Sequence, residues 1–276
     1  MKIIIIGIGG YVDAVVLPIL KRNYKQLDIS LISHNPLKSH NIAEHLSCSV
    51  HDGSLEKYDY YFLNTPIWDY ESFIKKIPLN KPLWLEKPIA DISDNNLEII
   101  RSLIEQRTAS THVGLNQRYI NKLTSYKNNE NIRGTFDFKV EFNPAMSCTD
   151  WKHSLVEGGI FYTDGIHAID LALYILGEKS VITSAVISEC DKWQFNVKSK
   201  KGEIQVNIGL VDESRYIINS ENILVDEGKN RSQSMFRDAF YAFLNGESNF
   251  DSCYRNFVKI RDAITLNNLT SVYLIK

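Results

Sequence analysis

The 276-residue sequence lacks the patterns that mark several common protein classes. Its four cysteines, Cys48, Cys148, Cys190 and Cys253, lie far apart and include no Cys-x-x-Cys pair. The seven histidines show no metal-ligand spacing either. The sequence therefore predicts reduced thiols, no disulfide framework and no metal site.

Charge of one sign and long apolar runs are also scarce. The formal net charge is −2 with both signs scattered, which excludes the basic stripe of a nucleic-acid-binding protein. No apolar run is long enough to cross a bilayer, and the short run Ile3–Ile6 lacks the length and cleavage site of a signal peptide. We therefore expect a cytoplasmic protein that binds neither nucleic acid nor membrane.

The first half of the chain alternates strand and helix patterns. Lys2–Ile6 is an apolar β-branched run typical of a central parallel strand, and the following helix, from Tyr11 to Arg22, contains Pro18, which should kink it. We predict further strands at 29–33, 60–64, 83–85 and 111–115, and further helices at 42–46, 69–77 and 94–106. This alternation predicts α/β class with a doubly wound parallel sheet, that is, a Rossmann domain.

The second half is rich in short strands. Alternation at 134–142 and 193–197 is typical of half-buried strands. We predict further strands at 182–188, 203–209, 216–219 and 223–225, and helices at 161–176, 234–244 and 251–269. The chain is long enough for about two domains, and we expect a Rossmann domain over 1–117 and, over 118–276, an α/β domain with an open, mostly antiparallel sheet.

A glycine-rich loop, Gly7 to Val12, follows the first predicted strand and opens a helix. In a dinucleotide-binding fingerprint Gly7 would allow the tight turn, and Gly9 would let the backbone approach a pyrophosphate at the helix N-terminus. Val12 departs from the third glycine position. The strand before and the helix after favour a cofactor site that includes Gly10 and Tyr11 over a bare packing turn.

The end of the second predicted strand bears on the choice of cofactor. An acidic residue there normally binds the ribose of NAD, but the sequence reads Ile32-Ser33-His34-Asn35-Pro36. Ser33, His34 and Lys38 are potential donors to a 2′-phosphate. The sequence therefore favours NADP over NAD, with an ordinary polar loop as the alternative interpretation.

Two further segments carry candidate catalytic groups. Leu85-Glu86-Lys87-Pro88 follows a short predicted strand, and a solvated Glu-Lys turn is the alternative interpretation. A later predicted helix carries Thr163, Asp164 and His167, whose spacings of four and three residues allow either pair to share one helix face. A structural histidine satisfied by Asp170 is the alternative for His167.

In their order and spacing these motifs resemble the glucose–fructose oxidoreductase, inositol dehydrogenase and rhizopine-catabolism (Gfo/Idh/MocA) family. The resemblance runs through most of the chain. It rests on the glycine loop, Thr65-Pro66, Glu86-Lys87-Pro88, Gly114 to Tyr119, Trp151-Lys152, and Glu157 through Gly158-Gly159 to Asp170.

The resemblance implies an NAD(P)-dependent oxidoreductase that transfers hydride between nicotinamide and a hydroxyl or keto carbon of a sugar, nucleotide-sugar or cyclitol. It implies that Lys87 is the catalytic lysine and that His167 is its partner in proton transfer. It assigns further residues to the cofactor (Thr65, Pro66, Glu86, Asn116, Trp151) and to the substrate (Arg118, Tyr119). It also implies a homo-oligomer, dimer or tetramer, formed through the C-terminal sheet.

Two departures from the family pattern affect the expected proton relay. The family's usual catalytic Asp, four residues before the His, is Thr163 here, and Asp164 follows it. A deletion that restored Asp164 would rotate the rest of the helix by about 100°, so we prefer the gapless match. Tyr70 stands where the family often has a His after Thr-Pro. These departures support an alternative function, a catalytically impaired relative that binds NAD(P) or a sugar as a regulator.

Overall fold

The chain divides into two units. The computed structural model describes residues 1–51, 53–91, 94–140, 159–187, 192–209, 211–224 and 231–273. One unit comprises Met1–Gly114 and Ser232–Phe250, and the other comprises Leu115–Arg231 and Asp251–Lys276. The division predicted after residue 117 does not include this return of a late segment to the first unit.

The first unit is built on six parallel strands. They are β1 (Lys2–Ile6), β2 (Asp28–Ile32), β3 (Ser49–Val50), β4 (Tyr60–Leu63), β5 (Leu83–Leu85) and β6 (Thr111–Val113). Their order in the sheet is β3-β2-β1-β4-β5-β6, and every neighbouring pair is parallel. This confirms the doubly wound sheet. The strand order reverses between β1 and β4, which is where such sheets bind ligands, at the carboxyl ends of the strands.

The helices of the first half connect these strands. They are α1 (Leu17–Asn23), α2 (Pro36–Leu46), α3 (Tyr70–Ile74) and α4 (Asp94–Glu105). A π-helical turn, Val12–Val16, runs directly into α1. Pro18 has no N–H for the helical ladder, and the wider turn just before it is where the predicted helix departs from regular α geometry.

An aromatic cluster covers part of the parallel sheet. The helix α7 (Arg231–Leu244) contributes Phe236, Phe240 and Phe243, all of them buried. Trp84 of β5 stacks on Phe62 of β4 with ring centroids 5.2 Å apart and meets Phe236 and Phe243 edge-on at 5.6 and 5.7 Å. The helix therefore belongs to the core of the first unit although it lies more than a hundred residues beyond β6 in the chain.

The segment after α7 covers the edge strand of this sheet. The side-chain amide of Asn249 donates to the carbonyl of Val113 (3.1 Å), and the Val113 N–H donates to Asn249 Oδ1 (2.6 Å). Ser248 Oγ donates to the carbonyl of Thr111 (2.7 Å). These contacts satisfy backbone groups that an uncovered edge would present to other chains.

The second unit contains a mixed sheet. Its strands are β7 (Ile132–Lys139), β8 (Val181–Ile187), β9 (Lys192–Ser199), β10 (Gly202–Gly209), β11 (Arg215–Ile218) and β12 (Glu221–Asn222), in the order β12-β11-β7-β10-β9-β8. Only β7 and β10 pair in parallel, which confirms the open, mostly antiparallel sheet. The last short strand lies at Glu221–Asn222 rather than at the predicted 223–225.

Helices complete the second unit. They are α5 (Leu123–Tyr126), α6 (Gly159–Leu176) and α8 (Phe250–Tyr273), whose first residue still belongs to the first unit. The helix α6 lies on the apolar face of the sheet, where Gly165 packs against Ile208 of β10. Among the described residues, we find no helix with the length and apolar character that a membrane span requires.

Candidate functional site

The glycine turn begins directly after β1, at the point where the strand order reverses. Gly7 has a φ of +93°, and a Cβ at this position would lie 2.4 Å from the carbonyl oxygen of Asn64, which follows β4. Its N–H donates to the carbonyl of Ile32 at the end of β2 (2.9 Å). Only glycine combines this backbone conformation with such a close approach, so the turn requires glycine at position 7.

Two features of this edge fit a bound dinucleotide. A Cβ added at Gly10 would meet no atom within 4 Å, so the backbone borders open space at the start of the helix. Thr65 follows β4 and is 6% exposed, and its Oγ1 has no hydrogen-bond partner among the described residues. Buried hydroxyls are normally satisfied, and helix N-termini bind phosphates. The residues present therefore fit the cofactor that the sequence predicts.

The loop after β2 holds two of the residues predicted to bind a 2′-phosphate. Ser33 Oγ accepts a hydrogen bond from the backbone N–H of Asn35 (3.2 Å). His34 Nε2 donates to Oδ2 of Asp69 (3.2 Å). Lys38 lies in α2, but its side chain is outside the described part of the chain. The 2′-phosphate contacts of these residues stay predictions, and Asp69 adds a carboxylate beside His34.

Tyr11, predicted to bind the cofactor, lies at the start of the first helix. Its ring meets Phe236 edge-on, with centroids 6.4 Å apart. Pro66 precedes a 3₁₀ turn, Ile67–Asp69, which leads from the end of β4 into α3. Both residues stay predicted cofactor contacts.

Glu86 and Lys87 follow β5 at the same edge of the sheet. Glu86 is 5% exposed, and its carboxylate accepts a hydrogen bond from the indole Nε1 of Trp84 (2.9 Å). A Cβ on Gly114, which follows β6, would lie 2.7 Å from Glu86 Oε1. Glycine at position 114 therefore leaves the space that the Glu86 side chain fills. Lys87, half-buried, is the next residue, and its peptide bond to Pro88 is cis.

Tyr70 fixes the peptide that precedes Lys87. Its hydroxyl donates to the carbonyl oxygen of Glu86 (2.6 Å), and the side chain is fully buried. Burial, together with the nearby charge of Glu86, raises the pKa of Tyr70 well above its ordinary value. Tyr70 therefore acts as a neutral hydrogen-bond donor that holds the turn, and it does not carry a mobile proton near neutral pH.

His167 lies in the second unit, on α6. Its side chain and that of Asp164, one turn earlier, are half-buried. The helix also contains Thr163, but the Thr163 side chain lies outside the described residues, as do Trp151 and the segment 141–158 around it. The choice between Thr163 and Asp164 as the partner of His167 stays a prediction.

Arg118 is held in a buried ion pair of the second unit. Its Nε donates to Oδ2 of Asp170 (2.7 Å), and an Nη–H donates to Ser252 Oγ (2.7 Å). The amide of Asn256 donates to the other oxygen of Asp170 (2.8 Å), and the Arg118 and Asp170 side chains are 3% and 1% exposed. Burial alone would lower the pKa of Arg118, but the carboxylate of Asp170 more than offsets it and raises that pKa.

This network bears on two alternatives from the sequence. Asp170 pairs with Arg118 and Asn256, so its carboxylate serves the ion pair rather than His167. Arg118 belongs to a 3₁₀ turn, Asn116–Tyr119, in which Asn116 is buried and Tyr119 is half-buried. Substrate contact by Arg118 stays a prediction. Cofactor contact by Asn116 and substrate contact by Tyr119 likewise stay predictions.

Sequence reasoning missed two residues at the carboxyl edge of the first sheet. Asn64 donates from Nδ2 to the carbonyl of Gly7 (3.4 Å) and so supports the glycine turn. Asp69, which follows β4, contacts His34, which follows β2, although β1 lies between these two strands in the sheet. No motif marks either residue. The available signal is their position, because Asn64 directly follows the strand β4 and Asp69 ends the 3₁₀ turn after it.

The fold itself has close counterparts. No protein-family model matches the sequence, and neither does any curated protein. Among solved structures, a Gfo/Idh/MocA family oxidoreductase from Vibrio cholerae matches with a TM-score of 0.69 at 14% identity, covering 100% of both chains. The chain has the fold of the Gfo/Idh/MocA oxidoreductases.

Two further structures with this Gfo/Idh/MocA-like fold contain ligands. The WlbA dehydrogenase from Thermus thermophilus, in complex with NAD and UDP-GlcNAcA, has a TM-score of 0.74 at 12% identity, covering 95% of this chain and 94% of its own. A 3-ketoreductase from Actinomadura kijaniata, in complex with NADP and TDP-benzene, has a TM-score of 0.70 at 14% identity, covering 95% and 96%. The fold that the sequence resemblance implied is therefore confirmed.

Proposed function

We propose that this chain is an NAD(P)-dependent oxidoreductase that acts on CH–OH groups. The observation that carries the proposal is the carboxyl edge at β1 and β4, where the strand order reverses. There the turn at Gly7 requires glycine, the backbone at Gly10 borders open space, and the buried hydroxyl of Thr65 has no partner among the described residues. Two structures of similar fold were solved in complex with NAD or NADP, which supports the same conclusion.

The chain's own residues would bind and orient the cofactor. Backbone N–H groups between Gly7 and Gly10 would receive the pyrophosphate at the start of the helix, and Thr65 would donate to the cofactor from the end of β4. Tyr11, Pro66, Glu86 and Asn116 would line the cofactor, as the resemblance implies. When bound, a nicotinamide cofactor supplies hydride chemistry at its C4 atom.

Lys87 and His167 would manage the proton. Removing hydride from a carbinol carbon leaves a carbonyl only if the hydroxyl proton also departs, and the reverse reaction needs a proton returned to the oxygen. We propose that Lys87 Nζ hydrogen-bonds the reacting oxygen, that His167 shares the proton transfer, and that Thr163 or Asp164 orients His167. The buried hydrogen bond from Tyr70 to the Glu86 carbonyl supports this role, because it fixes the backbone that presents Lys87.

A carbohydrate-like molecule is the proposed substrate, either a sugar, a nucleotide-sugar or a cyclitol. The dehydrogenase from Thermus thermophilus was solved with a nucleotide-sugar, which supports this class. We also propose a homo-oligomer formed through the sheet face opposite α6, where Val186 is 58% exposed and Ile217 is 36% exposed. Light scattering on the purified protein tests the assembly, and a monomer at all concentrations contradicts it.

Replacing Lys87 tests the proposed chemistry. Lys87→Met should lower turnover by about 10²- to 10⁴-fold, because it removes the group that handles the proton. Cofactor affinity should change little. The measurement is the absorbance of reduced nicotinamide with a panel of sugars, nucleotide-sugars and cyclitols. Lys75→Met is the matched control, because this exposed lysine pairs with Glu71 on the surface of α3.

The outcomes separate the two candidate functions. Unchanged turnover in Lys87→Met would refute the role of this lysine. Cofactor binding without turnover on any member of the panel would favour the impaired regulator, an alternative that the departures at Val12 and Thr163 support.

A further inference from the structure

The chain lacks an acid at the end of β2, but the fold supplies one from another strand. Asp69 ends the 3₁₀ turn that follows β4, and its Oδ2 accepts a hydrogen bond from His34 Nε2 (3.2 Å). His34 lies two residues beyond β2, where dinucleotide-binding sheets usually place the residue that contacts the adenosine ribose. The contact therefore brings a carboxylate to the position that the local sequence left without one.

Sheet topology places this contact beside the glycine turn. The strand β1 lies between β2 and β4, and Gly7 directly follows β1. The pair formed by His34 and Asp69 therefore joins the two loops that flank the turn proposed to receive the pyrophosphate. The ribose next to that pyrophosphate is the nearest part of the cofactor on the β2 side.

Asp69 is suited to accept hydrogen bonds at this place. Its backbone is held by the 3₁₀ turn, in which the Asp69 N–H donates to the carbonyl of Pro66 (3.0 Å), and Ser72 Oγ donates to the Asp69 carbonyl (3.0 Å). The side chain is 24% exposed, and Oδ1 makes no hydrogen bond to a described residue. One carboxylate oxygen is thus oriented by His34, and the other can accept a hydrogen bond from a ligand.

We propose that Asp69 is the cofactor-selecting residue and that it makes the protein prefer NAD(H) to NADP(H). This inference rests on the proposed function. The 2′- and 3′-hydroxyls of the NAD ribose donate to a carboxylate, whereas the 2′-phosphate of NADP carries negative charge and meets repulsion from it. The preference is the reverse of the one that Ser33, His34 and Lys38 indicate in the sequence, because His34 is engaged by the carboxylate.

Binding measurements test the proposal without requiring a substrate. The fluorescence of NADH and NADPH is titrated with the full chain, and the ratio of the two dissociation constants is compared among variants. The wild type should bind NADH at least about tenfold more tightly, and Asp69→Asn should reduce that ratio by about tenfold, mainly by strengthening NADPH binding.

Two further variants serve as controls. Glu71→Gln removes the same charge two residues away, where the carboxylate pairs with Lys75 on the surface, and should leave the ratio unchanged. His34→Ala keeps the carboxylate of Asp69 and removes its partner, so the NADH preference should persist. If His34 instead bound the 2′-phosphate, His34→Ala would lose NADPH affinity selectively.

The results distinguish this inference from the proposed function. If both cofactors bind and Asp69→Asn leaves the ratio unchanged, the selecting role of Asp69 is overturned while the oxidoreductase proposal stands. A wild type that prefers NADPH also overturns it. If neither cofactor binds the wild type, the proposed function fails and this inference fails with it. Circular dichroism of each variant confirms that the compared proteins are folded.

Discussion

The hydroxyl of Tyr70 has a structural role that can be separated from proton transfer. It donates to the Glu86 carbonyl oxygen, one peptide before Lys87, and both the donor and the Glu86 side chain are buried. A phenol whose pKa is raised well above its ordinary value keeps its proton across the working range of most enzymes. Tyr70 therefore holds the turn in position and does not exchange its proton.

Tyr70→Phe should lower turnover by about 10- to 100-fold while cofactor affinity stays nearly the same, because the lysine turn loses its anchor. The pH–rate profile should keep its inflections, since Tyr70 does not titrate there. Steady-state kinetics across pH measure both quantities. Tyr241→Phe, at a site 62% exposed, is the control. An inflection that disappears in Tyr70→Phe would mean that this phenol does carry the proton.

Individual residues at strand ends could be located from the sequence, but their partners could not. Gly7 and Thr65 follow apolar runs, so their places at the carboxyl edge of the sheet were predictable. The contact between His34 and Asp69 was not predictable, because it depends on the order of the strands in the sheet, in which only β1 separates β2 from β4. The burial of Arg118 against Asp170 was not predictable either, because the two residues are 52 positions apart in the chain.

At the scale of elements, the pair of Arg118 and Asp170 ties three pieces of the second unit together. Arg118 belongs to the 3₁₀ turn Asn116–Tyr119, Asp170 to α6, and Asn256 to α8. The helix α6 also carries His167 one turn before Asp170. The network therefore fixes the turn that presents Asn116 relative to the helix that presents His167, within one unit.

Asp170→Asn should reduce the free energy of unfolding by about 3–5 kcal/mol, because it leaves a buried guanidinium without its counter-charge. Urea denaturation followed by circular dichroism measures this. Asp212→Asn removes an exposed carboxylate of the same unit and should have little effect. Replacing both partners, Arg118→Met with Asp170→Leu, should recover much of the loss. A stable Asp170→Asn protein would contradict the importance of the pair.

Element prediction succeeded where patterns were long. The apolar run of β1 and the alternation in β7 and β9 identified strands correctly. The two-residue strand β3 and the short helix α5 were missed, because neither is long enough to show a period. The π-helical turn before Pro18 was also missed, since a proline in a helix predicts a disturbance but not its geometry.

At the scale of the whole molecule, the first unit depends on a segment far along the chain. Phe236, Phe240 and Phe243 of α7 pack around Trp84, and Asn249 covers β6. The sequence predicts a helix at 234–244 but places it in the second domain. An amphipathic pattern indicates that a helix has an apolar face, and it does not indicate which of two sheets that face will cover.

Phe240→Ala should destabilise the first unit by about 3–5 kcal/mol, because it leaves a cavity in a close-packed core. Tyr241→Ala, the next residue along α7 but 62% exposed, should change the stability by no more than about 0.5 kcal/mol. Thermal and urea unfolding monitored by tryptophan emission compare the two. Equal stability of the two variants would show that α7 is not part of the core of the first unit.

The late return of Ser232–Phe250 has a consequence for biosynthesis. Domains generally fold as units during translation, N-terminal ones first. Here the nascent chain can pair its parallel strands early, but the aromatic cluster around Trp84 stays incomplete until the ribosome has delivered α7. The first unit to be synthesised is thus completed only after residues 115–231 of the second have emerged.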